Sequence, residues 1–159
     1  MVMTCGNGGS AADSQHIAAE LVGRFQQDRN ALPALALTTD TSILTSVAND
    51  FGFEEVFARQ IEGLGRAADV LLVISTSGNS PNCVRAVAAA RRLGMSVYGF
   101  LGAGGGQLHD LVDAALVAPC DTTPEIQEIH ITCGHLLCRL LESLPPFQIP
   151  LDGARDAGR

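Results

Sequence analysis

Five polar side chains on otherwise apolar helical patterns have the types and spacing that could do chemistry. His16 and Glu20 are four residues apart. On a helix that puts them about 40° apart around the axis and about 6 Å along it. Both can then reach one metal ion or one substrate; the plainer alternative is a solvated surface pair. Gln127, His130 and His135 fall on a second helical pattern, where polar residues mark either a satisfied buried network or a site. His130 and His135 are about 140° apart and should not share a partner, whereas Gln127 and His135 differ by about 80° but by about 12 Å in rise. An irregular helix, two ends of one site, and contributions from different subunits all remain open for that pair. Arg24, one turn beyond Glu20, is a substrate clamp or a surface salt bridge, the latter favoured.

Two loops supply backbone donors. The first is Gly6-Asn7-Gly8-Gly9-Ser10, with Ser10 a candidate helix cap and glycines that let the backbone approach a ligand. The second is Ser75-Thr76-Ser77-Gly78-Asn79-Ser80, followed by Pro81. Pro81 suits the first helical position with Ser80 as its cap. Three serines, a threonine and the free N–H groups of a helix start suit a phosphate monoester without Lys or Arg. An ordinary capped turn is the bland alternative. The first loop also fits G-x-G-x-x-A through Gly6, Gly8 and Ala11, with Asp40 placed as a ribose-binding acid, so a dinucleotide site competes.

The elements that must position these groups read as alternating strands and helices. Val2–Cys5, 34–38, 70–74, 96–100 and 114–118 are short, mostly apolar runs without alternation, as strands buried on both faces are. Helical patterns cover 10–25, 54–64, 81–93 (stopped by Gly94) and 124–141. The expected fold is α/β: a doubly wound parallel sheet of about five strands with helices on both faces, in one domain over residues 1–144. Residues 145–159, rich in Pro, Gly and charge, are expected to be a disordered tail.

Composition narrows the function. The 159 residues are 47% hydrophobic and 17% charged, enough for a real core. Seventeen acidic against ten basic residues give −7, a field that repels nucleic acid. The apolar runs are too short for a membrane helix. Met1–Gly6 lacks a charged leader and a cleavage site. Five scattered cysteines without a C-x-x-C pair read as reduced, mostly core-filling thiols. A cytoplasmic protein is expected.

Cys5-Gly-Asn-Gly-Gly-Ser10, Gln15-His-Ile-Ala-Ala-Glu20, Ala48-Asn-Asp-Phe-Gly52, Asp69 to Ser80, and Ile126-Gln-Glu-Ile-His130 with His135 together resemble phosphoheptose isomerase, of the sugar isomerase (SIS) superfamily. The resemblance spans roughly residues 2 to 143. It implies interconversion of D-sedoheptulose 7-phosphate and D-glycero-D-manno-heptose 7-phosphate through an enediol, in bacterial heptose synthesis. It implies one zinc per subunit on His16, Glu20, Gln127 and His135, with Glu20 as base and His135 as acid. Substrate contacts are implied at Asn7, Gly8, Gly9, Asn49, Asp50, Ser75, Thr76, Ser77 and Ser80, with Glu20 and Gln127. The family is tetrameric, and a helical segment before its first strand helps to build the tetramer. That segment has no counterpart in the resemblance here, so bare apolar surface is expected. A same-fold relative that binds the replication initiator without catalysis is the alternative; it lacks acid/base residues at the positions of Glu20 and His135.

Overall fold

A computed structural model describes residues 1–145. Five strands form one parallel sheet in the order β2-β1-β3-β4-β5: β1 (Val2–Cys5), β2 (Ala34–Ala36), β3 (Val70–Ser75), β4 (Ser96–Leu101) and β5 (Ala114–Val117). Val2 pairs with both Ala34 and Val70, Val70 with Ser96, and Tyr98 with Ala114. The helices are α1 (Gly9–Val22), α2 (Thr41–Phe51), α3 (Ala58–Leu64), α4 (Pro81–Arg92), α5 (Gly106–His109) and α6 (Thr123–Ser143). The expected doubly wound parallel sheet is the one observed. Residues 146–159 of the expected tail lie outside the described residues.

Each face of the sheet has its own core, because side chains alternate along a strand. Met3, Cys5, Leu71, Val73 and Val97 pack against Phe57, Ile61, Ala86 and Leu108 on one face. Leu72, Ile74 and Phe100 pack against Ile17 and Leu21 of α1 and Cys138 of α6 on the other. Burying one such Leu or Ile contributes about 1.5–3 kcal/mol. Cys5, Cys83 and Cys138 are buried and all five cysteines are free, as expected.

Several expectations need correction. The helical pattern over 54–64 resolves into a 3-10 turn, Phe53–Glu55, and α3. Helix α2 was not foreseen: its Thr, Ser, Val and Asn are indifferent helix formers. It forms because Asp40 caps it, accepting from the Ile43 N–H at 2.9 Å. Asp40 is therefore a helix cap and not the ribose acid of a dinucleotide site. Ser10 lies inside α1 and is buried, and the cap position belongs to Gly8 at φ +55°. Ser80 stands at the cap position before Pro81 as expected, but its side chain makes no capping bond and its hydroxyl faces that of Ser75 instead. The first helix stops at Val22 and not at Phe25, since Gly23 interrupts it.

No helix among the described residues is long and apolar enough to cross a membrane. An apolar cavity of about 490 Å³ opens on the α1/α6 side, lined by Val2, Leu72, Phe100, Leu116, Leu137 and Leu141.

Candidate active site

The strand order changes direction between β1 and β3, and ligands of such sheets bind beyond the strand ends at that point. The glycine loop follows β1 and the serine loop follows β3. A reciprocal amide pair ties them together. Asn7 Nδ2 donates to Asn82 Oδ1, and Asn82 Nδ2 donates to Asn7 Oδ1, both at 2.8 Å. Asn82 is buried on the first turn of α4 and its Oδ1 also accepts the Cys83 N–H. In the serine loop, Ser75 Oγ accepts the Gly78 N–H and faces Ser80 Oγ at 3.2 Å, while Ser77 Oγ accepts the Asn79 N–H. Gly78, at φ +64°, lies against the turn at Gly105–Gly106 so closely that an added Cβ would stand 1.9 Å from the Gly105 carbonyl oxygen. Only glycine fits there.

Helices α1 and α6 run side by side in parallel register. The Gln127 amide lies over Gly9, where a Cβ would meet its Nε2 at 2.5 Å, and Gly134 lies against Ile17. One step further, His135 Nε2 faces His16 Nε2 at 3.2 Å, and His16 Nε2 faces Glu20 Oε1 at 3.2 Å. The early pair and His135 thus converge within one chain. Gln127 and His135 stand at different points along the α1–α6 seam, as an 80° and roughly 12 Å offset requires.

His16, Glu20 and His135 offer three ligand atoms within 4.8 Å of one another, a group able to hold a metal ion. The donor set fits zinc. Two unprotonated imidazole nitrogens at this distance repel unless a proton or cation lies between them. With Zn–N legs of 2.0–2.1 Å a tetrahedron has edges of about 3.3 Å, close to both observed separations.

Other candidates fall elsewhere. His130 is fully buried and its Nε2 donates to the Leu101 carbonyl at 3.0 Å, so it does not share a partner with His135. Burial pushes its pKa down, and burial pushes that of the facing Asp13 up. Asn49 and Asp50 are exposed on α2 and bonded to each other; among the described residues no hydrogen bond joins them to either loop. Thr76 is half-buried. Arg24 pairs with Asp28 on the surface, the salt bridge favoured above.

Asn82, Phe25, Arg29 and Glu142 were missed. Asn82 lies one residue past the serine loop, beyond Pro81. The other three carry no local signal, since their partners are far away in sequence.

The family model described as SIS domain matches residues 1–102. The chain is 59% identical over 141 residues to the phosphoheptose isomerase of Nitratiruptor sp., spanning 89% of this chain and 75% of that relative. It is 61% identical over 145 residues to that of Desulfovibrio desulfuricans, spanning 89% and 67%. The structure of phosphoheptose isomerase GmhA from Neisseria gonorrhoeae superposes with a TM-score of 0.85 at 47% identity, over 90% of this chain and 76% of that one. With the sheet, the family model and these relatives in agreement, the chain belongs to the phosphoheptose isomerases of the SIS superfamily, enzymes that isomerise a heptose phosphate.

Proposed function

We propose that the protein interconverts D-sedoheptulose 7-phosphate and D-glycero-D-manno-heptose 7-phosphate through an enediol. One zinc ion per subunit would be held by His16, Glu20 and His135; Gln127, the fourth ligand the resemblance implies, lies over Gly9 at another point of the seam and would have to turn toward them or come from another subunit. The convergence of His16, Glu20 and His135 within one chain carries this reading. Bound there, zinc would polarise the substrate carbonyl as a Lewis acid.

The chain's own groups do the rest. Ser75, Thr76, Ser77 and Ser80, with the N–H groups opening α4, take the phosphate. Asn7, whose amide is committed to Asn82, contributes its backbone together with Gly8 and Gly9. Asn49 and Asp50 hold the sugar hydroxyls. Glu20 removes a proton from C1 of the ketose, and the C1–C2 double bond forms as the carbonyl oxygen at C2 takes a proton from His135. In the second half His135 recovers the proton of the C1 hydroxyl while Glu20 returns its proton to C2, giving the aldose. Such an acid/base pair supplies about 10²–10⁴-fold. A ligating atom cannot hold a proton as well. Glu20 has Oε2 to act with, the oxygen not turned to His16. His135 turns Nε2 to His16, which leaves Nδ1 to hold and give the proton.

The reading includes one SIS domain over residues 1–144, a cytoplasmic homo-oligomer, tetrameric by resemblance, and a place in bacterial heptose precursor synthesis for lipopolysaccharide, capsule or S-layer. The exposed apolar side chains of Leu136 and Leu140 on α6 and Val22 on α1 support a partner subunit there. The test is incubation of zinc-loaded protein with sedoheptulose 7-phosphate, following the aldose anomeric signal by NMR. Aldose should accumulate to an equilibrium ratio. A folded, zinc-loaded sample that leaves the ketose unchanged overturns the assignment.

A further inference from the structure

Helix α1 ends at Val22, and the chain then turns through Gly23 and Arg24. The backbone N–H groups beyond that point have lost their helical acceptors. A single carboxylate from the far end of α6 accepts them. Phe25 N donates to Glu142 Oε1 at 2.9 Å, and Gln26 N and Gln27 N donate to Oε2 at 2.9 and 3.1 Å. Arg29 Nε adds a fourth donor to Oε1 at 3.1 Å. The remaining guanidinium nitrogens donate to the carbonyls of Leu21, Asn30 and Glu20 at 2.9, 3.0 and 2.8 Å. Both side chains are almost wholly buried, at 2% and 1% exposure. Burial alone would raise the pKa of Glu142; the three N–H donors and the Arg29 charge outweigh it and hold the carboxyl below its usual range. Such a buried pair is no better for stability than a well-packed apolar one. Its distinct effect here is geometric.

What it fixes is Phe25. The ring lies on the His135 imidazole with centroids 5.4 Å apart and planes 22° from parallel. The His16 ring meets the same imidazole edge-on at 4.9 Å. A ligating histidine is ordinarily oriented by a hydrogen bond from its second nitrogen. Among the described residues no protein group bonds Nδ1 of His135. We propose that Phe25, held by the buried Glu142–Arg29 pair, is a positioning residue that sets the plane of the His135 ring and so keeps Nε2 aimed at His16 and Glu20. Arg29 does the same for Glu20 through its backbone carbonyl. The inference rests on the function proposed above only for its consequence in catalysis.

The test compares the parent with Phe25→Leu, which keeps the apolar bulk and loses the ring, and Phe25→Tyr, which restores it. Histidine ring resonances of the metal-free protein report the stack directly, and cobalt(II) titration reports the ligand set through its visible band. In Phe25→Leu the part of the His135 ring-current shift that Phe25 supplies should be lost. Cobalt should bind about 3- to 10-fold more weakly, with an altered band and a lower kcat at nearly unchanged KM. Phe25→Tyr should return all of these, with thermal unfolding near the parent's throughout. Glu142→Gln should behave as Phe25→Leu; if it does not fold, the Phe25 pair decides alone. Parent-like ring shifts and cobalt affinity in Phe25→Leu, or no rescue by Phe25→Tyr, overturn the proposal. A parent that binds no cobalt and turns over no sugar refutes the proposed function instead, and the ring-shift comparison still judges this inference.

Discussion

Replacing Gly78 by alanine tests whether the serine loop is held rigidly. Two costs follow from the structure. Gly78 has φ +64°, a region that costs an L-residue about 1–2 kcal/mol. The new Cβ would also lie 1.9 Å from the Gly105 oxygen. Heavy atoms rarely approach within about 3.0 Å without bonding, so the two loops must part by roughly 1.1 Å. That lengthens the Leu108 N–Gly78 O bond, now 3.0 Å, and the Gln107 N–Asn79 Oδ1 bond, now 2.9 Å, beyond useful range. Each is worth about 1 kcal/mol. The expected loss is about 3–4 kcal/mol, less than the whole stability of an ordinary domain, so the variant still folds. Urea denaturation measures it. Gly104→Ala is the control, because Gly104 has φ +74° but nothing within 4 Å of its added Cβ. It should lose only the backbone part, about 1–2 kcal/mol. Sugar-phosphate affinity should drop in Gly78→Ala and hold in Gly104→Ala. Equal urea midpoints for the two variants would show that the loops part at no cost and that the argument from close contact is wrong.

Three further outcomes are expected. Glu20→Gln should abolish isomerisation while sugar phosphate binds within about threefold of the parent, measured by calorimetry; parallel loss of binding and rate would deny Glu20 the role of base. Gly134→Val should force Ile17, 2.9 Å from the added Cβ, away from α6, costing about 1–3 kcal/mol and weakening cobalt binding by separating His135 from His16; unchanged cobalt affinity would mean the seam yields without moving the ligands. Acid should destabilise the fold in two windows. His130, facing Asp13, has a folded pKa pushed below 6.5 by burial. The unfolded chain therefore takes up the proton first, and stability falls as pH drops below about 6.5. Glu142 is held below 4.5, so its contribution is present above about that pH and lost beneath it. Urea midpoints of His130→Gln should lack the upper decline, and those of Glu142→Gln should show a smaller lower one, since Asp69 is held low as well; declines of parent size in both variants would refute these assignments.

How much of this was legible beforehand follows from the range of the interactions. Strands buried on both faces announce themselves in short apolar runs, so β1 and β3–β5 fall within a residue of expectation at each end. That His16 and Glu20 share a face was readable from helical geometry; that His135 meets them while Gln127 stands apart depends on how α6 packs on α1. Helix α2 was not, since its formation depends on one capping carboxylate and not on its own propensities. The early end of α1 was hidden for a deeper reason. The apolar pattern runs on to Phe25, and nothing local says that residues 25–27 will give their N–H groups to a carboxylate 115–117 positions away.

That long-range capture joins the legible part of the site to the illegible part. Because α1 and α6 are parallel, each step along one matches a step along the other: Gln127 at Gly9, Gly134 at Ile17, His135 at His16, Glu142 at the turn after Val22. Sliding α6 by one turn would move every partner by about 5.4 Å and would part the histidines. The register must therefore be fixed at both ends of the seam. At the upper end the close approach of Gly9 leaves room only for the Gln127 amide, and at the lower end four donors converge on one buried carboxylate. The middle, where the chemistry is placed, is left with small contacts and an exposed His16. A seam fastened at both ends holds its central side chains in register without strong contacts between them.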